Sequence, residues 1–276
     1  MSKAGRRPGS LVLYIMVQLS AVITVGVLLA LVGYILIRGI PNIHLSLFQW
    51  KFSTANMSMM PAIINTIIMT VLSLVMAVPV GVFSAVYLTE YAGKSGKVVK
   101  IIRLTTETLS GIPSIVYGLF GYILFVIALG WHYSLMAGAV ALAIMILPLI
   151  IRTTEEALIS VPDTYREGSF GLGAGKLHTI FRLILPCAVP GILAGVILAI
   201  GRIVGESAAL IFTAGTVAKV PGSLFDSART LSVHMYALLS EGLYTNEAFA
   251  TAVVLLILVI LINAVSGLLA KKLAMR

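Results

Sequence analysis

Arg202 and Glu206 are the charged residues inside an otherwise apolar stretch running from Leu183 to Phe212. A charge at membrane depth costs at least ~2.5–3.5 kcal/mol on insertion scales, so its presence asks for a role. Four residues apart on a helix, the two side chains share a face. That spacing suits a structural ion pair cancelling charge between packed helices. It suits equally an arginine whose fork of N–H donors grips an oxyanion while the carboxylate holds it in place. Arg152 closes another apolar run (LPLIIRTTEEAL), where a basic anchor at the inner membrane face accounts for it. Thr108, Ser110, Gly111, Pro113 and Ser114 form a small, polar, kinkable cluster. Such a cluster fits the lining or gate of a path, and equally ordinary helix packing.

Covalent and metal chemistry find no support. His44, His132, His178 and His234 fall in separate segments without metal-ligand spacing, and Ser207 has no histidine at its depth. No catalytic residue and no metal site is therefore expected. The single cysteine, Cys187, excludes an internal disulfide and leaves the redox compartment open. The run Gly171-Leu-Gly-Ala-Gly175-Lys176 imitates a phosphate-cradling loop. It has Phe170 where a glycine is needed and Leu177 where a Ser or Thr is needed, so this chain is expected to bind no nucleotide.

The elements that must position these residues follow from composition. Of 276 residues, 59% are hydrophobic and 11% charged, with mean hydropathy +1.08. Soluble domains carry about 25% charged residues, so lipid is the solvent that fits. The net charge of +9 does not indicate nucleic acid, because the basic residues lie between apolar runs and not along one helix face. Runs of ~20 apolar residues cross the bilayer as helices. They occur at about Leu11–Ile37, Ala62–Leu88, Leu109–Leu129, Tyr133–Ile151, Leu183–Phe212 and Phe249–Ala270. An alternating barrel pattern is missing, so an all-α protein of six transmembrane helices is expected. The first run is far longer than the ~7–15 residues of a cleavable signal core, and it should stay as a span.

Lysine and arginine set the orientation. With the N-terminus cytoplasmic, inside segments hold Lys3, Arg6, Arg7, Lys94, Lys97, Lys100, Arg103, Arg152, Arg166, Lys176, Arg182, Lys271, Lys272 and Arg276. Outside segments hold Arg38, Lys51, Lys219 and Arg229. Fourteen against four puts both termini in the cytoplasm, with Trp131 and Tyr133 as anchors in a short outer turn.

The inside loop 152–182 reads as helical. Ser160, followed three residues later by Asp163, predicts a capped helix start, and Gly171, Gly173 and Gly175 predict its end. Lys176 to Leu185 forms a second amphipathic piece entering the fifth span at Pro186. Gly191 and Gly195, then Gly201 and Gly205, repeat a spacing that lets helices approach closely, in this chain or another.

Within this loop, Glu167-Gly168-Ser169, three residues, Gly173, nine residues and Leu183-Ile184-Leu185-Pro186 resemble the cytoplasmic "EAA" signature of permeases in binding-protein-dependent ATP-binding-cassette importers. Gly168 and Ser169 replace two alanines, and Leu183 replaces isoleucine. The alternative, an amphipathic helix resting on lipid, needs no such spacing. Three more stretches narrow the resemblance: PAIINT with VPVGV and YLTEYA (from Pro61 to Ala92), SGIPSIVYG (Ser110–Gly118) and GRIVGESAA (Gly201–Ala209). Over about residues 61–270 the chain is similar to PstA-type phosphate permeases.

The resemblance implies a type I importer permease fold and an ATPase-coupling role for Glu167, Gly168, Ser169, Gly173, Leu185 and Pro186. It implies a phosphate path at Arg202, Glu206 and Arg152. It further implies a PstC-type second permease, a PstB-type cytoplasmic ATPase dimer carrying ATP-Mg, and a PstS-type external phosphate-binding protein. The setting would be a bacterial or archaeal-type inner membrane. Residues 1–60 would then be the basic tail, first helix and outer loop, 61–270 the transmembrane domain, and 271–276 a cytoplasmic tail. Permeases for sulfate, tungstate or phosphonate remain open, since a guanidinium does not choose among oxyanions. An ion-coupled carrier is the rival outside the class; it has no use for a coupling signature.

Overall fold

The computed structural model describes residues 8–92 and 96–274. Lys3, Arg6, Arg7, Lys94 and Arg276 lie outside the described residues. Helices α1 (Pro8–Gly39), α2 (Met60–Val86), α5 (Leu135–Ile159) and α11 (Thr245–Ala274) each carry a stretch long and apolar enough to span a bilayer. Another such stretch, Lys176–Gly205, comprises α7 (Lys176–Thr179), a wider π turn (Ile180–Ile184) and α8 (Leu185–Gly205). The remaining crossing is a bent pair, α3 (Lys97–Ser110) and α4 (Ser114–Gly121), the latter prolonged by a π turn to Ala128.

That bent pair corrects the third span. An unbroken helix is expected from Leu109 to Leu129, yet Leu109 and Ser110 end α3, and the chain turns by 101° before α4 begins. Pro113 lacks the N–H that would continue the ladder and biases Ile112 away from helical geometry. The Tyr117 hydroxyl then donates to the Leu109 carbonyl at 2.8 Å, tying the two arms together across the break.

Helix α5 is the hub. Its Leu135, Leu142, Ile146 and Ile150 are buried against Met69 and Ala77 of α2 and Ala199 and Ile203 of α8. Small residues set these distances. A Cβ on Gly81 would meet Ile150 Cγ2 at 2.6 Å, one on Gly191 would meet Ala157 Cβ at 2.6 Å, and one on Gly195 would meet Thr153 Cβ at 2.7 Å. The first glycine pair of α8 is thus the seam with α5 of the same chain. At the second pair, Gly201 and Gly205, an added Cβ would meet nothing within 4 Å among the described residues.

Helix α1 is the opposite case. Residues 11–30 are exposed throughout, and the end of the helix docks through Tyr34 on Phe249 and Gly39 against the Phe249 carbonyl. Trp131 and Tyr133 take their expected place in the turn between α4 and α5. Trp131 stacks on Phe125 (5.4 Å between centroids) and Tyr133 on Tyr122 (5.8 Å).

Between α8 and α11 the chain forms a cap from α9 (Ala208–Thr213), an irregular segment and α10 (Leu231–Glu241). It is fastened to the start of α2. Asn65 Nδ2 donates to the Lys219 carbonyl (2.9 Å) and the Arg229 carbonyl (3.0 Å), and the Leu231 N–H donates to Thr66 Oγ1 (2.8 Å). His234 is fully buried here, with Arg229 3.3 Å from its Nδ1. Burial, and next the Arg229 charge, hold its imidazole down to about 4, so it is neutral at physiological pH.

Candidate functional site

The fifth span ends at Gly205, not at Phe212 as the apolar run suggests. Glu206 has extended backbone (φ −74°, ψ 129°), so it leaves the helix and does not share a face with Arg202. Its carboxylate accepts the Ala209 N–H at 3.0 Å, and Ser232 Oγ donates to its carbonyl. Glu206 is therefore buried as the capping group of α9 and as the joint with α10. A cap of this kind contributes about 1 kcal/mol, and together with the Ser232 hydrogen bond it favours the break over a continued helix. The structural ion pair, one of the two readings that the Arg202–Glu206 spacing allows, does not form.

Arg202 is consequently half-buried near the outer end of α8 with no hydrogen bond or ion pair among the described residues. It lies within electrostatic range of Tyr117, the residue that bridges the break in span three. Gly118 of α4 packs on Ala209 of α9, with 2.8 Å between the Cα of Ala209 and the place a Cβ would take. The arm that follows the first helix break (111–113) is thereby held against the short helix that follows the second (205–207), and the unpaired Arg202 guanidinium lies within range of Tyr117 on that arm. Of the cluster Thr108, Ser110, Gly111, Pro113 and Ser114, the hydroxyls of Thr108 and Ser110 turn back to their own helix, onto the Leu104 and Thr106 carbonyls. Gly111 and Pro113 make the bend, and Ser114 opens α4.

Arg152 stands lower. It follows Ile151 on α5, opposite the Gly195 level of α8, whereas Arg202 is seven residues beyond Gly195, about 10 Å farther along at ~1.5 Å per residue. Arg152 pairs with Glu156 at 3.1 Å, both well exposed, and lines a cleft of about 240 Å³ with Arg103, Glu107 and Glu155. The three residues assigned to one path thus stand at separate places: Arg202 free, Arg152 paired, Glu206 turned into a cap.

The loop after α5 also departs in detail from expectation. Ser160 does not start a helix. It ends α5, its hydroxyl on the Ala157 carbonyl, and α6 (Asp163–Gly171) begins after Pro162, whose fixed φ prepares the turn. Gly173 takes φ +82°, a left-handed conformation open to glycine at little cost, and this reverses the chain into α7. Ser169 Oγ lies 2.8 Å from Thr179 Oγ1, closing the two arms. Glu167, Gly168 and Gly173 are exposed at the knob so formed, which also bares Tyr165, Phe170, Leu177 and Leu172, the last 91% exposed. Leu185 and Pro186 do not interrupt the chain. The π turn just before them absorbs the proline, which cannot donate, and the helix runs on to Gly205.

One residue escaped sequence reasoning as more than an inside charge. Arg166 of α6 pairs with Glu90, at the end of the π turn that prolongs α2, at 2.7 Å. The partners are 76 residues apart, so no spacing rule joins them. Their only signals are an acid in YLTEYA and a base in TYREGS.

The family described as "Binding-protein-dependent transport system inner membrane component" matches residues 77–276. The Probable ABC transporter permease protein YqgI of Bacillus subtilis is 36% identical, over 90% of this chain and 90% of its own. The Phosphate transport system permease protein PstA of Xylella fastidiosa is 33% identical over 88% of this chain and 89% of its own. Among solved structures, a chain of the MetNI methionine ABC transporter in an inward-facing conformation superposes with TM-score 0.60 at 20% identity. The overlap covers 87% of this chain and 96% of that one. The fold is that of a type I importer permease.

Proposed function

Since the chain belongs to the binding-protein-dependent transport system inner membrane component family, and is thus a transport subunit and not an enzyme, we propose that it is the PstA-type permease of an ATP-driven phosphate importer in an inner (plasma) membrane. One observation carries the reading: Arg202, half-buried in a span, has no carboxylate partner among the described residues and stands near the break that ends α8, within range of Tyr117. An unpaired guanidinium in that setting is costly and is offset when an oxyanion takes its N–H donors. Arg152, about 10 Å inward, exchanges Glu156 for the same anion as it moves toward the cytoplasm. Glu206 serves the path indirectly, by holding the break open.

The apolar tip at Phe170 and Leu172, with Glu167 and Gly173, docks on a cytoplasmic ATPase dimer of PstB type, which binds the ATP-Mg this chain has no loop to hold. A PstC-type permease covers the lipid-sized apolar surface of α1 and the unpartnered Gly201–Gly205 face, and a PstS-type protein delivers phosphate from outside. Reconstitution in liposomes with these partners tests the proposal. Radiolabelled phosphate accumulates when ATP is enclosed on the ATPase side. Accumulation on an ion gradient without ATP, or ATP-driven uptake of sulfate, tungstate or phosphonate in its place, overturns it.

A further inference from the structure

The coupling loop is fastened by side chains to span two, which is distant in sequence, in addition to the spans that flank it. The Arg166 guanidinium has five N–H donors, and each has an acceptor. Nε and Nη2 donate to Glu90 Oε1 at 3.1 and 2.7 Å, Nη1 to the Val161 carbonyl (2.9 Å) and Asp163 Oδ1 (3.1 Å), and Nη2 also to the Leu158 carbonyl (3.0 Å). The pair is nearly sealed from solvent, with the side chains 15% and 9% exposed. A second tie runs beside it. Lys176, on the far arm of the loop, lies 4.6 Å from the centroid of the Tyr91 ring. Both arms of the knob therefore grip the same π turn, Tyr87–Tyr91, at the inner end of α2. At its outer end α2 holds the cap, through Asn65 and Thr66 on the carbonyls of Lys219 and Arg229 and the N–H of Leu231.

We infer that span two is the rod that carries motion of the coupling loop to the outer cap, and that Arg166, clamped on Glu90, is the positioning residue that makes it follow. A loop bound only to α5 and α8 could tilt by sliding past span two; one clamped at Glu90 and Tyr91 moves span two with it. From Glu90 to Asn65 the rod measures about 37 Å at ~1.5 Å per residue. A displacement at the motor end thus reaches the segment over the outer mouth through one helix, as packed elements shift as rigid bodies. The inference rests on the importer reading above, and its test separates the two.

In the complete complex in proteoliposomes, Glu90→Gln and Asp163→Asn are compared. Each removes one carboxylate from the same guanidinium, but Asp163 belongs to the loop itself and Glu90 to the rod. Two quantities are read: phosphate moved per ATP hydrolysed, and the change in mobility of a spin label at Lys219→Cys, in a Cys187→Ser background, when ATP and vanadate trap the motor. Glu90→Gln is expected to keep ATP hydrolysis, to lower phosphate per ATP by about tenfold and to abolish the label's response. Asp163→Asn should leave both near wild type. Equal effects of the two variants, or a Glu90→Gln protein with wild-type coupling and label response, overturn the inference and reduce Arg166 to a support of the loop. Should Glu90→Gln fail to assemble, Tyr91→Leu, which weakens the second tie without orphaning a buried charge, is judged by the same two outcomes. A wild-type complex that moves no phosphate but shows the label response overturns the substrate reading alone.

Discussion

Arg202 and Arg166 have the same side chain and opposite surroundings. Arg166 spends every donor on protein acceptors, in a nearly sealed pocket at the inner end of the fold. Arg202 spends none on the described residues, near the break that ends α8 and within range of Tyr117. A fully engaged guanidinium fixes geometry and has nothing left to offer a ligand; an unengaged one contributes little to the fold and is available to an anion. The contrast assigns mechanics to one and passage to the other, and five experiments sharpen or break it.

The largest difference should come from Arg202→Gln. Phosphate uptake falls by about 100-fold, since a charged hydrogen bond contributes ~1.5–3 kcal/mol, while thermal unfolding stays within about 1 kcal/mol of wild type. Uptake at the wild-type rate would return Arg202 to a packing role. Arg166→Ala should do the reverse. It leaves Glu90 and two backbone carbonyls without their donor and destabilises the chain by about 3–5 kcal/mol, measurable by denaturation in detergent. Arg166→Lys keeps the charge but has three donors for the four acceptors that Arg166 serves with five hydrogen bonds, and it should lie between.

Gly173→Ala has no steric obstacle, because nothing lies within 4 Å of the added carbon. Its cost is the left-handed backbone alone, about 1–2 kcal/mol, and it should appear as weakened ATPase docking in a pull-down with the chain still inserted. Glu206→Leu should cost about 1 kcal/mol by uncapping α9, whereas Glu206→Gln, which still accepts the Ala209 N–H, should be nearly silent in stability and uptake. A Glu206→Gln defect as deep as that of Arg202→Gln would instead place the carboxylate on the path.

The smallest effect at neutral pH concerns His234, in the cap outside the spanning helices. Its folded value is about 4 against 6.5 when free. Between these values the unfolded chain takes a proton that the folded chain refuses, so stability of the cap falls from about pH 6.5 down to about 4. It does not change above that window or below it. A His234→Gln protein should lose this slope in acid unfolding curves.

The six apolar runs were legible because lipid demands length and hydrophobicity and little else, and the loop knob was legible because its spacing is local. What sequence missed depends on partners far along the chain. Glu206 reads as one more residue of an apolar helix until Ser232 and Ala209 are placed beside it. Arg166 reads as an inside charge until Glu90 arrives from another span. In span three the breakers Gly111 and Pro113 were visible, yet a proline inside a spanning helix commonly produces only a kink. The 101° turn needed Tyr117 to staple it. Ser160 misled because a serine suited to begin a helix can equally finish the preceding one.

Gly39 has a leverage out of proportion to its size. It is the tight point where α1 meets α11, and a single methyl there would strike the Phe249 carbonyl and the Val253 side chain. Helix α1 has 32 residues, so it extends about 48 Å from that pivot, and a tilt of about 10° would sweep its far end through about 8 Å. One hydrogen atom standing where a methyl would be thus sets the angle at which a long greasy arm leaves the body, and with it the place in the bilayer where the arm finds its neighbour.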